Sequence, residues 1–252
     1  MSGHSKWASI KHRKAATDAK RGQLFTKLAR AISVAAREGG GDPESNFTLA
    51  AAIEKAKGYS MPKDNIQRAI DRGTGAGGAG DEIARVVYEG YGPGGAAILV
   101  EALTDNRNRT SAELRHAFDK NGGSLGEPGS VAWQFERKGV LVVDGDRYGE
   151  EDLLAAIDAG ADDVVADGDL VKVTTDPASL SAVREALSES GVEVQSADLV
   201  MEPKAVVEVA VEGEAKGLLR LVDSLDDHDD VESVHANFDI PAELLEAAET
   251  AA

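Results

Sequence analysis

The sequence predicts an α+β protein of several domains: a three-helix N-terminal domain followed by two ferredoxin-like domains of the split βαβ type, one inserted in the other. Apolar residues repeat with the period of a helix up to about residue 73 and with the period of a strand after residue 80. The glycine-rich segment GTGAGGAG at residues 73–80 separates the two patterns. A chain of 252 residues is long enough for two or three domains with their own cores.

The first helix is predicted from Arg21 to the three glycines at residues 39–41. Its apolar side chains share one face: Leu24, Phe25, Leu28, Ile32 and Ala35. Its basic side chains share the opposite face, which only Val34 interrupts: Lys20, Lys27, Arg30 and Arg37. Asp42-Pro43 predicts the start of a second helix that runs to about Lys57. Pro62 predicts a third helix, with Ile66, Ala69 and Ile70 facing inward, that ends at Gly73.

Strands and helices alternate after the glycine-rich segment. Strands are predicted at residues 86–88, 97–103 and 131–135, and a Thr110-x-x-Glu113 capping box predicts the start of a helix. Residues 139–202 have the order β-α-β-β-α-β, with strands at 139–143, 163–166, 170–174 and 192–200. The helices of this segment are predicted at 150–159, with Leu153, Leu154 and Ile157 inward, and after Asp176-Pro177. The chain closes with a strand at 206–211, a helix and a strand at 231–238.

The two β-α-β halves at residues 97–135 and 206–238 are each half a domain, so we expect them to form one sheet around an inserted domain. The predicted boundaries are as follows: a basic arm (1–20), a helical domain (21–75), a glycine-rich linker (76–80), a discontinuous α+β domain (81–136 with 203–240), the inserted ferredoxin-like domain (137–202) and a C-terminal tail (241–252).

Charge is distributed very unevenly along the chain. Up to residue 75 there are fourteen basic and seven acidic side chains, whereas the rest of the chain holds thirteen basic and 38 acidic ones. One end of the protein is therefore attracted to polyanions and the remainder is repelled by them.

The basic N-terminus has the composition of a nucleic-acid-binding segment, because clustered Lys and Arg neutralise phosphates and an interleaved aromatic ring stacks on bases. The candidate contacts are Lys6, Trp7, Lys11, Arg13, Lys14, Lys20, Arg21, Lys27 and Arg30. A solvated basic tail is the simpler alternative, and a lipid-binding amphipathic helix is another. Continuation of the cluster onto one face of a helix favours a shaped binding surface over a tail. The apolar face is modest and is needed to pack against the neighbouring helices, which disfavours lipid binding.

Residues 105–109 (DNRNR) lie between a predicted strand and a predicted helix. Arg107 and Arg109 at a helix N-terminus are candidates for phosphate contacts. The alternative, slightly favoured by the sequence alone, is a loop whose Asp and Asn form turns and caps while the Arg side chains are solvated.

Other functional classes have no support in the sequence. The chain has no Cys, which excludes disulfides, thiolate metal sites and a Cys nucleophile and fits a cytoplasmic protein. The five His show no metal-ligand spacing, and no catalytic or phosphate-loop motif is present. Gly75-x-Gly77-x-x-Gly80 matches the dinucleotide-binding letters but follows a predicted helix instead of a strand, so a linker is the better interpretation. We therefore expect no enzyme activity, no cofactor, no metal, no small-molecule substrate and no membrane span; the oligomeric state stays open.

Several blocks of the chain resemble the YebC/PmpR family of probable transcriptional regulatory proteins. They are GHSKW (3–7), IKH (10–12), DAKRG (18–22), FTKL (25–28), MPKDNI (61–66), YEGYGPGG (88–95), EALTDNRNRT (101–110), NGG (121–123) and GEPGSVAWQF (126–135). The resemblance implies a helical N-terminal domain, two α+β domains, no cofactor and no reaction. It also implies a regulator of gene expression: bacterial members are described as DNA-binding transcriptional regulators, and mitochondrial relatives as translational activators.

Three functions follow as hypotheses. The first is a DNA-binding transcriptional regulator, and the second is a translation factor that binds RNA on the ribosome. The third is a protein-interaction scaffold whose basic arm binds acidic proteins. Both nucleic-acid hypotheses require contact through the basic end of the chain, since the acidic remainder would be repelled by a wrapped duplex.

Overall fold

The computed structural model describes residues 18–76, 83–241 and 243–245; the side chains of residues 18–21, 150 and 167 are also outside the description. Three large hydrophobic cores organise these residues, one among helices and two beneath antiparallel sheets, and a smaller fourth cluster lies on the other face of the first sheet. The predicted fold class, a helical N-terminal part followed by mixed α+β parts, is confirmed.

Three helices form the N-terminal part, which we call the helical unit: α1 (Asp18–Gly39), α2 (Phe47–Gly58) and α3 (Lys63–Gly73). The apolar face predicted for α1 is the face that packs, because Leu28 and Ile32 are buried with Leu49 and Ile53 of α2 and Ile66 of α3. Gly40 has a φ of +88°, which favours glycine and ends α1 where the sequence predicts.

The predicted start of the second helix at Asp42-Pro43 is wrong. Residues 43–45 form a turn, and α2 begins at Phe47 with Asn46 as its N-cap. The buried Asn46 side chain accepts a hydrogen bond from the Leu49 amide (3.1 Å) and donates to the carbonyls of Ala35 (2.7 Å) and Gly40 (2.8 Å). Asn46 therefore caps the start of α2 and binds the carbonyls at the end of α1, which a helix from residue 43 would not allow.

The face of α1 opposite its core is also covered. Val34, which interrupts the predicted basic face, is 2 % exposed, and α1 contacts strands β2 (Ala97–Thr104) and β9 (Val231–Ala236) of the first sheet. The basic side of α1 is therefore in part an interface between the helical unit and this sheet.

The first sheet has the strand order β3-β1-β2-β9, with β1 at Ala84–Tyr91 and β3 at Ser124–Leu125, and all pairs are antiparallel. Two helices, α4 (Arg107–Lys120) and α7 (Glu212–Asp226), supply Phe118 and Leu218 to the core that also contains Ile98 and Val100 of β2. The other face of β2 packs Ala97 and Leu99 against Val131 and Phe135. Burial on both faces explains why β2 is apolar from Ala97 to Leu103 with the single exception of Glu101.

Strand β9 pairs with β2 although the whole second sheet lies between them in the sequence, as expected for two halves of one sheet. Several local predictions in this part are wrong. Residues 132–134 form a 3₁₀ turn instead of a strand, and the strand predicted at 206–211 is reduced to β8 (Val207–Glu208), which pairs with β10 (Phe238–Asp239). Helix α4 is capped by Asn106, so Thr110 and Glu113 do not form a capping box.

The second sheet is formed by β4 (Phe135–Asp144), β5 (Ala161–Asp167), β6 (Leu170–Thr175) and β7 (Val194–Pro203) in the order β5-β6-β4-β7, with antiparallel pairs. Helices α5 (Leu154–Asp158) and α6 (Leu180–Glu189) complete the predicted β-α-β-β-α-β order. This strand order is that of the ferredoxin-like fold, so the prediction for this segment is confirmed.

The inward face predicted for residues 150–159 is only partly correct. Leu153 is fully buried, but Leu154 and Ile157 are 57 % and 53 % exposed. The reason is a 3₁₀ turn at Glu150–Leu153, whose tighter winding turns Leu153 and Ala156 toward the core. The second helix of this segment also begins later than Asp176-Pro177, at Leu180.

A buried carboxylate shapes the loop at residues 126–132. Glu89 of β1 is 6 % exposed and accepts hydrogen bonds from the amides of Gly129 (2.6 Å), Val131 (2.7 Å) and Ala132 (2.8 Å). Burial alone would raise the pKa of Glu89, but these three amides outweigh it and lower the pKa. The loop at residues 126–132 therefore has a defined shape. Trp133, which follows it, has 67 % of its surface exposed.

Gly73 tests the packing of α3 on α1. A Cβ at this position would lie 2.2 Å from the carbonyl oxygen of Ser33, on the neighbouring helix. We expect Gly73→Ala to destabilise the protein by about 1–3 kcal/mol, since the two helices must separate. Thermal and urea unfolding of the full chain measure the effect.

Gly58→Ala is the matched control, because no atom lies within 4 Å of the place that the added methyl group would take at the end of α2. It should be neutral or stabilising by up to about 1 kcal/mol. Equal stability of the two variants would contradict the packing described for Gly73.

Candidate nucleic-acid interface

The predicted contact residues fall into two groups in the structure. Lys6, Trp7, Lys11, Arg13 and Lys14 lie outside the described residues. Lys20 and Arg21 belong to the first turn of α1, and their side chains are not described. The remaining candidates, Lys27, Arg30, Arg107 and Arg109, are described and lie near the junction between the helical unit and the first sheet.

Two of these candidates bind the acidic 226–230 loop, which joins α7 to β9. Lys27 donates its Nζ hydrogen to the carbonyl oxygen of Asp226. Arg30, one turn further along α1, donates to the Asp229 carbonyl at 2.9 Å and forms an ion pair with the Asp230 carboxylate. The basic face predicted for nucleic acid is thus partly engaged by the protein's own acidic loop.

Asp230 is the centre of this junction. Its carboxylate is 3 % exposed and also accepts hydrogen bonds from Arg109 (2.8 Å) and from the hydroxyl of Thr110 (2.7 Å). Burial alone would raise the pKa of Asp230, but the hydrogen bonds of Arg109, Thr110 and Arg30 outweigh it and lower the pKa to about 2. One carboxylate therefore joins α1 to the N-terminal turn of α4.

The DNRNR loop combines both of its predicted roles. Asn106 caps α4 by accepting from the Arg109 amide at 3.1 Å, as the turn-and-cap interpretation requires. The Arg109 side chain is not simply solvated, because it forms two ion pairs, one with Asp105 at 2.9 Å and one with Asp230. Arg107 is exposed, so it is the arginine of this loop that is open to a phosphate.

His228 completes the 226–230 loop and brings together atoms of the kind that bind metals. Its Nδ1 accepts from the Asp230 amide at 3.1 Å, so Nε2 carries the hydrogen and lies 2.9 Å from Glu113 Oε2. Donor atoms of Glu113, His228 and Asp230 lie within 4.8 Å of one another. Because both ring nitrogens and both Asp230 oxygens already have protein partners, this cluster is a hydrogen-bonded junction and not a cation site.

A cleft of about 580 Å³ opens beside the junction, between α1, α3 and Ile83. Its apolar lining is Phe25, Ala29, Met61, Ala69 and Ile83, and its polar lining is Thr26, Arg30, Asn65, Arg68, Arg72 and Asp105. Arg68 and Arg72 are not among the contact residues predicted from the sequence. The available signal was their spacing with Asn65, at i, i+3 and i+7, which places all three on one side of α3.

None of the helices in the described parts of the chain has the length and apolar character needed to cross a membrane.

Together these features define a class of protein: a three-part α+β molecule whose basic helical unit is fixed by ion pairs to an otherwise acidic body. The chain belongs to the TACO1/YebC family. Residues 5–76 match the family's N-terminal domain, and residues 83–238 match its second and third domains. The family resemblance noted in the sequence is thereby confirmed.

Relatives match over nearly the whole chain. A probable transcriptional regulatory protein of Rubrobacter xylanophilus is 57 % identical over 246 residues, covering 97 % of this chain and 98 % of the relative. A protein of the same description from Halothermothrix orenii is 54 % identical and covers 98 % of each chain. The crystal structure of a conserved hypothetical protein from Aquifex aeolicus has a TM-score of 0.83 and 46 % identity, and the match covers 90 % of this chain and 94 % of that one. The chain thus belongs to a family whose members carry the names of regulatory proteins.

Replacement of Asp230 tests the junction. We expect Asp230→Asn to destabilise the protein at neutral pH by about 2–3 kcal/mol, because Arg30 and Arg109 lose their shared charge partner but are exposed enough to be hydrated again. The control is Asp229→Asn, since that side chain is exposed and only its carbonyl is used by Arg30. Urea unfolding of each full-length variant provides the comparison.

The difference in stability between the native protein and Asp230→Asn is expected to depend on pH. The pKa of Asp230 is about 2 in the folded protein against an ordinary value of 3.8, so its contribution is present above about pH 4 and declines as the pH falls toward 2. The stability difference between the native protein and Asp230→Asn should shrink over that interval. A difference that stays constant from neutral pH to pH 2 would contradict the ionised, hydrogen-bonded Asp230 described above.

Proposed function

We propose that this protein is a non-enzymatic, nucleic-acid-binding regulator of gene expression, acting as a DNA-binding transcriptional regulator. The observation that carries the proposal is the segregation of charge: a net charge of +7 in residues 1–75 and −25 in the remainder. A polyanion is attracted to the first part and repelled by the second, so contact is confined to one end of the molecule. The names of the bacterial relatives support the transcriptional role.

The residues proposed for direct contact are the basic candidates from the sequence other than the three that the described structure places at the junction. They are the basic residues of the arm, Lys20 and Arg21 at the start of α1, and the exposed Arg107. Lys27, Arg30 and Arg109 are also predicted to contact nucleic acid. Such contact would cost free energy, because a phosphate would have to replace the 226–230 loop as their partner. In the proposed complex these three residues fix the orientation of the helical unit instead.

A translation factor that binds RNA is the second candidate function. The observation that favours it is the cleft between α1 and α3, whose apolar lining suits an unpaired base better than a base pair inside a duplex. The large negative charge of the remaining chain also disfavours wrapping by a duplex, whereas a ribonucleoprotein offers basic protein surfaces as well as RNA.

Replacement of three arm residues tests the proposed interface. We expect Lys11→Ala with Arg13→Ala and Lys14→Ala, in the full chain, to weaken nucleic-acid binding at moderate salt by about tenfold or more. Log affinity should also depend less steeply on log salt: the slope should decrease in magnitude by about 2.7 on duplex DNA if each residue neutralises one phosphate. Fluorescence anisotropy with labelled DNA and RNA across a salt series measures both quantities.

The charge-matched control is Arg137→Ala with Arg147→Ala and Arg184→Ala, which removes three exposed cations from the second sheet and its helices. Its affinity should stay within about twofold of the native protein. Equal loss in both triple variants would refute the arm as the contact, and no binding to either polymer at low salt would favour a protein-interaction scaffold. Crosslinking in cells, with parallel DNase and RNase treatment, then identifies the polymer that is bound.

A further inference from the structure

We propose that the cleft between α1 and α3 holds an unpaired nucleotide of a single-stranded nucleic acid. This inference rests on the proposed function, since it requires that the protein bind nucleic acid. It adds a defined site outside the arm and names the kind of substrate, which is a strand with accessible bases.

The composition of the cleft suits a base. Five of its eleven lining residues are apolar: Met61 and Ala69 are buried, and Phe25, Ala29 and Ile83 are partly buried. A base has two apolar faces and a polar edge, so it matches a recess whose lining combines apolar side chains with the polar residues Asn65 and Thr26. The volume of about 580 Å³ is that of a typical small-ligand site.

The lining of the cleft carries more positive than negative side chains. Arg30, Arg68 and Arg72 belong to it, together with one acidic residue, Asp105. Asp105 is already held by Arg109 at 2.9 Å, so its repulsion of a phosphate is weakened. The cleft is thus cationic within a chain whose net charge is −18.

Arg68 and Arg72 supply the available positive charge. Both are exposed and four residues apart on α3, so their side chains are neighbours on the helix surface. Arg68 donates to the carbonyl of Asp64 (3.1 Å) and to the side-chain oxygen of Asn65, neither of which is charged. Within the described ranges neither arginine forms an ion pair, whereas Arg30 is paired with Asp230.

The shape of the cleft favours an unpaired base over a base pair. The apolar lining lies in a recess between two helices, and the bases of a duplex are stacked inside the double helix and cannot enter it. An unpaired base in a loop or single strand can turn into the recess while its phosphates contact the arginine rim. Single-stranded RNA and single-stranded DNA share this chemistry, so the experiment must compare the two.

The experiment measures binding of the full-length protein to short labelled strands of RNA and DNA of the same sequence, and to the matched duplexes, across a salt series. We expect both single strands to bind about tenfold or more tightly than the duplexes. We expect Arg68→Ala with Arg72→Ala to weaken single-strand binding by about tenfold. The slope of log affinity against log salt should decrease in magnitude by about 1.4, which is the value for two phosphate contacts on a single strand. A difference in affinity between the RNA and DNA strands shows which of the two polymers the cleft prefers.

Lys57→Ala with Lys63→Ala is the matched control, because it removes two exposed cations from the same helical unit outside the cleft. It should change the affinity by less than about twofold. Phe25→Leu, which reduces the aromatic surface and retains the charge, should weaken binding without changing the salt slope. Thermal unfolding of each variant checks that the helical unit stays folded.

The outcomes separate the cleft from the general function. If the protein binds nucleic acid but the Arg68/Arg72 variant behaves like the lysine control, the cleft is refuted and the proposed function stands. Duplexes that bind as tightly as single strands refute the cleft in the same way. If no nucleic acid binds at low salt, the proposed function fails and the cleft fails with it.

Discussion

The Asp230 carboxylate is the interaction on which the arrangement of the basic end depends. It is buried between α1 and α4, where Arg30 reaches it from the helical unit and Arg109 and Thr110 reach it from the first turn of α4. A buried carboxylate is costly unless its oxygens are fully bonded, and these donors keep it ionised. The helical unit is therefore oriented by a network of polar contacts that requires residues from both sides, in addition to the apolar contact of α1 with β2 and β9.

This network divides the basic residues into two groups. Lys27, Arg30 and Arg109 are compensated by the acidic 226–230 loop or its neighbours, and they hold the molecule together. Arg68, Arg72 and Arg107 are exposed and retain the charge that a phosphate requires. A count of basic residues along the sequence indicates a negatively charged partner. The acidic 226–230 loop determines which of those basic residues are available to that partner. The ion pairs of α2 with the second sheet, Lys55–Asp198 and Arg184–Glu54, are exposed and contribute little to this arrangement.

Errors in the predicted elements have local physical causes. Asn46 outcompetes Asp42 as an N-cap because its side chain also bonds the carbonyls that end α1, a contact made across a turn. Thr110 follows the cap Asn106 instead of being one, because its hydroxyl binds Asp230, which is 120 residues away in the sequence. Leu154 and Ile157 are exposed because a 3₁₀ turn changes the phase of the helix. In the first two cases the deciding partner lies outside the sequence window that predicts the element, and in the third the spacing of apolar residues does not reveal the tighter winding.

The sequence alone determined the fold class, the β-α-β-β-α-β order of residues 139–202 and the concentration of positive charge at one end. These follow from the periodicity, turn residues and composition of the chain, which are local properties. Only the tertiary structure decided that Val34 and the neighbouring basic face lie against the first sheet, and that Arg68 and Arg72 face a cleft. Whether a cation is free or compensated depends on which carboxylate folds against it, and that contact is set by chain segments about 200 residues apart.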